Sequence, residues 1–323
     1  MPQQSAPTTP LVSVMMVTYN QEAYVRAALD SILDQLVDFE YEIVIGEDCS
    51  TDRTRAIITE YQQRHGDKIR PLFHDKNLGV SHNWEFTMHQ CRGTYVALLE
   101  GDDYWTNPHK LQKQVDFLAA RPDFSMCFHN TRVVYEGGST PPPSHLMTQA
   151  THTEFTLDDV TRDWHIATAS VMYRRALLPD LPPWVHDSVV VDLPLLATLA
   201  SRGRVGFLNK EMSVYRVNSG GVSQTAKKEA YLLGLIRMYA QLDQHLALSQ
   251  HRNFMVKTAD AYLALGSSMN TQYRYGEAKQ YLLHSLRSRL SVGVMPSKNT
   301  LKALAISFLP SLYKRFYRKE SLG

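Results

Sequence analysis

Residues 95–105 read Tyr95-Val96-Ala97-Leu98-Leu99-Glu100-Gly101-Asp102-Asp103-Tyr104-Trp105, an apolar run that ends abruptly in three carboxylates. A short apolar run of this kind has the length and composition of a strand buried on both faces. Carboxylates this close repel one another unless a cation or hydrogen-bond donors neutralise them. Hard divalent ions such as Mg2+ or Mn2+ take oxygen ligands, commonly one or two carboxylates plus phosphate oxygens. Gly101 permits close approach of backbone and phosphate. The same residues also fit a solvated turn capping the helix after Asn107-Pro108. The neighbouring segments weigh between the two.

Upstream, residues 11–17, 41–45 and 69–73 read as buried strands, and 24–36, 54–64 and 84–91 as helices. Residues 95–99 make a fourth strand, followed by a helix over 110–120 that stops before Pro122. Apolar strands alternating with helices predict an α/β class, a mostly parallel sheet covered on both faces with right-handed crossovers. Such sheets bind ligands at the carboxyl ends of their strands. Those ends are polar here. The first strand runs into Thr18-Tyr19-Asn20, the second into Glu47-Asp48-Cys49-Ser50-Thr51-Asp52, and the fourth into Glu100-Gly101-Asp102-Asp103. Three polar clusters at equivalent strand ends converge on one crevice.

Downstream, Gly137-Gly138 through Pro141-Pro142-Pro143 reads as a loop. Residues 171–173 and 205–208 read as short strands, and 193–202 as a helix. Strand signals stop near Lys227, and residues 231–246, 254–269 and 276–290 have helical periodicity. The chain thus divides into a polar, disordered start (1–10), an α/β domain (11–225) and a helical region (226–323). In the last, Ala261-Tyr262-Leu263-Ala264-Leu265-Gly266 with Tyr273, Glu277-Ala278 and Leu286 resembles one tetratricopeptide-type helix pair. A single pair is read as an internal hairpin. From Lys298 to Gly323 six basic residues face one acidic, interleaved with Leu309, Leu312, Tyr313, Phe316 and Tyr317. This end fits an anionic membrane surface as well as it fits a solvated terminal helix.

Composition narrows the classes. Over 323 residues, 44% hydrophobic and 20% charged is an ordinary globular balance, and a net charge of +2 gives no electrostatic case for nucleic acid. Cys49, Cys91 and Cys127 are too few and too scattered for a disulfide framework or a zinc knuckle, which points to a reducing cytoplasm. The start lacks a signal-peptide pattern, and the chain has no apolar run of roughly 18 residues. A membrane role therefore means lying on the surface. Walker, zinc and Ser-His-Asp patterns are missing.

Four segments, taken in order, resemble the family-2 glycosyltransferases of GT-A (Rossmann-like) fold across residues 11–223. They are Val12-Ser13-Val14-Met15-Met16-Val17-Thr18-Tyr19-Asn20, residues 42–52, Leu99-Glu100-Gly101-Asp102-Asp103-Tyr104-Trp105, and Asp192 with Val214-Tyr215-Arg216. The resemblance implies inverting transfer of a sugar from a nucleotide-diphosphate donor to a hydroxyl of a glycan or lipid-linked acceptor. Uridine or thymidine donors and polysaccharide or lipopolysaccharide assembly are the family's usual setting. It also implies that Thr18, Tyr19, Asn20 and Glu22 line the nucleotide pocket, that Asp48 accepts from base or ribose, and that Lys76 offers the donor a basic contact. An Asx turn opening the next helix is the alternative for Asp48.

The family's Asp-any-Asp element falls on Glu100-Gly101-Asp102, with Asp103 beside it. Glu at the first position is a departure: Glu100 still reaches a ribose, and Mn2+ or Mg2+ falls to Asp102 and Asp103. In Val190-Val191-Asp192-Leu193-Pro194-Leu195, Asp192 matches the catalytic base that takes the acceptor's proton. Asp187 is the alternate base, and a helix cap is the structural alternative. Residues 214–221 match an element that closes over the diphosphate, with Arg216 pairing phosphate charge and Gly220-Gly221 forming a lid. Asn218 stands where many relatives carry His. Trp84, Trp105, His129 and Trp164-His165 read as structural rather than as pocket walls. A non-catalytic sugar-nucleotide-binding or assembly protein on the same scaffold is the rival. A nucleotidyltransferase is disfavoured, because Thr18-Tyr19-Asn20-Gln21 is not a Gly-rich basic loop.

Overall fold

The computed structural model describes residues 9–136, 144–146, 152–163, 166–218 and 228–309. The chain divides into two compact units, Met1–Thr225 and Ala226–Gly323. The first opens as the alternation requires: β1 (Val12–Thr18), α1 (Val25–Leu33), β2 (Tyr41–Glu47), α2 (Thr54–His65), β3 (Ile69–Phe73), α3 (Val80–Gln90) and β4 (Tyr95–Glu100). It continues with β5 (Tyr104–Trp105), α4 (Lys110–Ala119), β6 (Phe124–Tyr135), β7 (Ser144–Leu146), β8 (Glu154–Phe155), α5 (Leu157–Arg162), β9 (Met172–Arg174), α6 (Asp192–Ala200) and β10 (Arg204–Val217).

One sheet runs in the order β3-β2-β1-β4-β9-β6-β10-β5, with β7 on β6 and β8 on β10. Strand periodicity sends alternate side chains to opposite faces. Val12, Val14 and Met16 join α1, α2 and α4 in one core, while Met15, Val44, Val96 and Leu98 join α3 and α6 in the other. Helix α1 buries Val25, Ala28, Leu29 and Ile32, the spacing of one helical face. Burial of Val25, Leu29 and Ile32 contributes roughly 1.5–3 kcal/mol each.

The mostly parallel sheet expected from the sequence is present, its long ladders being the parallel ones. Parallel pairing holds for β1 with β2 and β4, for β2 with β3, and for β6 with β10. The remaining five pairings, including those of β9 with β4 and β6, are antiparallel. Two long strands also escaped the sequence pattern. Strand β6 carries His129, Asn130 and Thr131 in mid-run, yet all three are buried. Thr131 pairs with Ser213 at 2.8 Å, and Asn130 donates to Asn209 at 2.7 Å. Strand β10 runs nine residues past its expected end at Leu208. Its register slips between Leu208 and Glu211, and this polar irregularity mimics a strand end.

Two polar features lock the scaffold. Ser13 Oγ donates to Glu42 at 2.6 Å and accepts the Gly93 N–H at 2.8 Å, so the turn before β4 sits on the start of β1. On α4, Lys110 is fully buried, with Nζ 3.8 Å from the Trp105 ring centroid and without a hydrogen-bond partner. Burial holds its amine well below the ordinary lysine range.

The second unit is helical: α7 (Lys228–His245), α8 (His251–Thr271), α9 (Tyr275–Ser291) and α10 (Lys298–Phe308). Helices α8 and α9 form the expected hairpin. A Cβ on Gly266 would lie 2.5 Å from Leu282, which is why this crossing needs glycine, and Ser285 Oγ donates to the Ala259 carbonyl at 2.7 Å. Among the described residues no helix is long and apolar enough to cross a membrane. The start expected to be disordered is described only from residue 9, and the loop expected at Gly137–Pro143, Trp164-His165, Gly220-Gly221 and residues 310–323 of the basic tail lie outside the described residues.

Gly93→Ala tests the first lock. Its Cβ would lie 2.4 Å from Ser13 N and 2.7 Å from Val12 C, backbone atoms with no rotamer to change. The variant is expected to lose at least about 1–3 kcal/mol in denaturant unfolding.

Candidate active site

The acidic loop is built from three directions. Strand β4 delivers Glu100, and the Gly101 N–H donates to the Val17 carbonyl at 3.1 Å, holding the loop to the end of β1. A Cβ on Gly101 would lie 2.4 Å from Gln21 Oε1 and 2.8 Å from Thr18 Oγ1, so only glycine fits. Strand β5 pairs antiparallel with β10, Ser213 with Trp105 and Val214 with Tyr104. This pairing leads the end of β10 onto the loop. The Arg216 N–H donates to Asp103 Oδ1 at 2.8 Å, Arg216 Nη1 to the Asp102 carbonyl at 2.8 Å, and Asn218 Nδ2 to Asp102 Oδ2 at 3.0 Å.

Burial and mutual repulsion dominate the electrostatics. Burial pushes Glu100 up to about 8, with added push from the Asp102 and Asp192 charges. Burial, then Asp102 and Glu100, hold Asp103 well above the usual carboxylate range, against the pull of the Arg216 N–H. Asp102 is raised by burial and drawn back by donors that include Asn218 and Gln21. Tyr215 is raised by burial and then by these same carboxylates, Asp192 among them. The fold therefore brings Asp192 to a loop far from it in sequence.

This cluster suits a cation. Asp103 Oδ2 is buried without a hydrogen-bond partner, and the carboxylates hold more negative charge than their donors balance. Among the described residues no three His, Cys, Asp or Glu side chains form a chelating group. Mg2+ or Mn2+ bound by one or two carboxylates needs none, because phosphate and water oxygens complete the shell.

Several expected ligand contacts are occupied by the protein itself. Asn20, at φ 52°, accepts from Thr51 N at 2.8 Å and donates its own N–H to Ser50 Oγ at 2.9 Å. Glu22 accepts from Arg53 N at 2.8 Å. These bonds latch the β1–α1 loop to the β2–α2 loop. Asp48 accepts Leu78 N at 2.6 Å and Gly79 N at 3.0 Å, fastening the β3–α3 loop. The Asx turn weighed for Asp48 belongs to Asp52, whose Oδ1 accepts Thr54 N at 2.9 Å. Thr18 is buried and donates to Gln21 at 2.7 Å. Tyr19 is exposed, as is Lys76. Lys76 forms no ion pair with the acidic loop. The Arg216 guanidinium, expected at the diphosphate, pairs with Glu136 at 3.2 Å and lies 4.5 Å and 5.3 Å from the Tyr104 and Tyr24 rings. It braces the loop.

Asp192 is the first residue of α6, with Val191 at the cap position, and it lies half-buried. Asp187, the alternate base, is exposed, and its charge does not register on Glu100. The segment ahead of Asp192 is clipped to α3: His186 pairs with Glu85 and stacks on His82 at 4.5 Å, and Ser81 Oγ donates to the Ser188 carbonyl at 3.3 Å. Trp84 and Trp105 are core residues, the latter donating to the Ala169 carbonyl at 2.9 Å. His129 is buried, and desolvation lowers it to about 3. Sequence reasoning missed Gln21, although it directly follows the first polar cluster. It also missed Glu136, which no motif marks.

Glu100 gives a pH signature. Its pKa is raised above the ordinary 4.5, so the folded state binds its proton more tightly than the unfolded chain. That stabilisation is complete below about pH 4.5 and gone once pH has risen through about 8. Glu100→Gln is expected to flatten this part of the thermal-stability profile measured across that window without divalent ions.

Residues 13–181 match the family model described as Glycosyl transferase family 2. An uncharacterised protein of Mycobacterium tuberculosis is 38% identical over 215 residues, covering 67% of this chain and 61% of that protein. The chain thus spans less than two-thirds of that relative's length. The putative teichuronic acid biosynthesis glycosyltransferase TuaG of Bacillus subtilis is 28% identical over 223 residues, covering 68% of this chain and 84% of TuaG. Among solved structures, S. aureus TarS 1–349 in complex with UDP-GlcNAc aligns with a TM-score of 0.60 at 19% identity, over 95% of this chain and 93% of that one. That likeness shows a shared GT-A fold. With the family match over 13–181 on that fold, this chain belongs to glycosyl transferase family 2.

Proposed function

We propose that this chain transfers a sugar, with inversion, from a nucleoside-diphosphate donor to a hydroxyl of a glycan or lipid-linked acceptor in cell-surface polysaccharide assembly. The position of Asp192 at the start of α6, near enough for its charge to raise Glu100 at the end of β4, carries the reading. A binding scaffold has no need of a carboxylate held there, whereas an inverting displacement needs one base opposite the leaving group. The uridine donor is supported by the TarS complex with UDP-GlcNAc, and the setting by the name of TuaG. The three free cysteines agree with a reducing, cytoplasmic location.

In this reading the exposed ring of Tyr19 stacks on the base, and the latched loops at Asn20, Glu22 and Asp48 form the floor beneath it. Thr18 and Gln21 set the position of Gly101. Glu100 faces the ribose, and Asp102 and Asp103 would hold Mn2+ or Mg2+, which would supply positive charge against the leaving diphosphate. Lys76 approaches the donor from the β3–α3 loop. Arg216 acts through the loop it braces rather than on the phosphates. The acceptor oxygen forms its bond to the anomeric carbon as the bond to the diphosphate breaks on the opposite face. Asp192 receives the hydroxyl proton.

Asp192→Asn is expected to bind nucleoside diphosphate as the parent does and to lose at least about 100-fold in transfer rate. Normal turnover would remove Asp192 from the base role. Calorimetry with a panel of nucleoside diphosphates, with and without Mn2+, checks the donor side. Asp102→Asn is expected to abolish the Mn2+ enhancement, and equal binding without metal would refute the metal assignment.

A further inference from the structure

Helix α10 is turned inside out for a helix of a globular unit. Its buried residues are small: Thr300, Ala303 and Ser307. The Asn270 side chain donates to the Ala303 carbonyl at 2.9 Å, and Ser297 Oγ caps Thr300 N at 3.1 Å, so the helix is fixed in this rotation. Leu304 packs partly against the core of this unit, whereas Leu301 and Phe308 point away from it. Leu301 is 52% exposed, Phe308 52% and Leu309 54%, and Met295 just before the helix is 78% exposed. A surface helix ordinarily buries such residues and exposes its polar ones. Leu301, Ala305 and Phe308 follow one another at i, i+4 and i+7, and exposed Lys298 and Lys302 flank that stripe. Lys279 of α9 places its amine 4.8 Å from the Phe308 ring centroid.

The described charges beside this stripe, Lys298 and Lys302 of α10 and Lys279 of α9, are basic. In sequence, residues 278 to 323 hold nine Lys or Arg and one acid, Glu320. A protein partner would be met by an apolar centre depleted in charge. An apolar stripe set among lysines matches a bilayer, where apolar side chains enter the acyl boundary and ammonium groups stay with phosphates.

We infer that the outward face of α10, Leu301 and Phe308 edged by Lys298 and Lys302, docks this chain on an anionic lipid surface. The inference stands apart from the transferase reading, since lipid binding is measured without donor or acceptor. Such docking would bring the catalytic unit to acceptors held in the membrane.

The test is co-sedimentation of the full chain with vesicles of phosphatidylcholine alone and of equal parts phosphatidylcholine and phosphatidylglycerol. Binding is expected only to the second, and to weaken with added salt. Lys298→Gln with Lys302→Gln, and separately Leu301→Ser with Phe308→Ser, are each expected to weaken it by about tenfold or more. All four positions are exposed, so thermal unfolding and nucleoside-diphosphate binding should match the parent. Failure to bind the anionic vesicles, equal binding to both vesicles, or parent-like binding by both double variants overturns the proposal. So does concentration-dependent self-association that Phe308→Ser removes while lipid binding is absent, because the face would then be covered by a second copy.

Discussion

Two carboxylates about 4 Å apart near a protein surface repel by about 4 kcal/mol. The loop after β4 gathers Glu100, Asp102 and Asp103, and α6 adds the charge of Asp192. Much of the first unit can be understood as the means of holding that charge in place. Strand β10 runs to Val217, and the segment from Arg216 to Asn218 donates three hydrogen bonds to the loop. Arg216 is in turn held by Glu136 and two tyrosine rings. Gly101 is needed because Thr18 and Gln21 press on the loop from β1. Even so, one oxygen of Asp103 stays unpaired and Glu100 keeps its proton to about pH 8. The protein alone does not balance the site.

Strands β1 to β4 were legible in the sequence because a sheet covered on both faces demands continuous apolar runs, and those runs are long enough to stand out. The same reasoning failed for β6 and β10. Their mid-strand polar residues satisfy one another across the ladder, as Thr131 does with Ser213, so burial there needs no apolar pattern. A register slip in β10 compounded the error, making one long strand look as though it ended at Leu208.

The site was legible at a coarser grain. Convergence of three polar strand ends follows from topology, and topology follows from the strand pattern. What an individual side chain does there depends on partners far along the chain. Asn20, Glu22 and Asp48 each spend oxygen atoms on neighbouring loops, and Arg216 spends its guanidinium on the loop it was expected to reach past. Residue type and spacing mark the crevice, and they carry no information on which lone pairs remain for a ligand. The loops around the nucleotide position are therefore stiffer than their composition implies, with Tyr19 the large exposed ring among them.

Lys110 adds something of practical use. Its amine is sealed under α4 against the Trp105 ring. Reagents that acylate or methylate amines act on the free base at the surface, so in the closed fold they cannot reach this nitrogen. Modification of Lys110 then proceeds at the frequency with which α4 lifts from the sheet. Peptide mapping after timed exposure would make this one residue a clock for opening of the core, read against the exposed Lys76 as an internal standard.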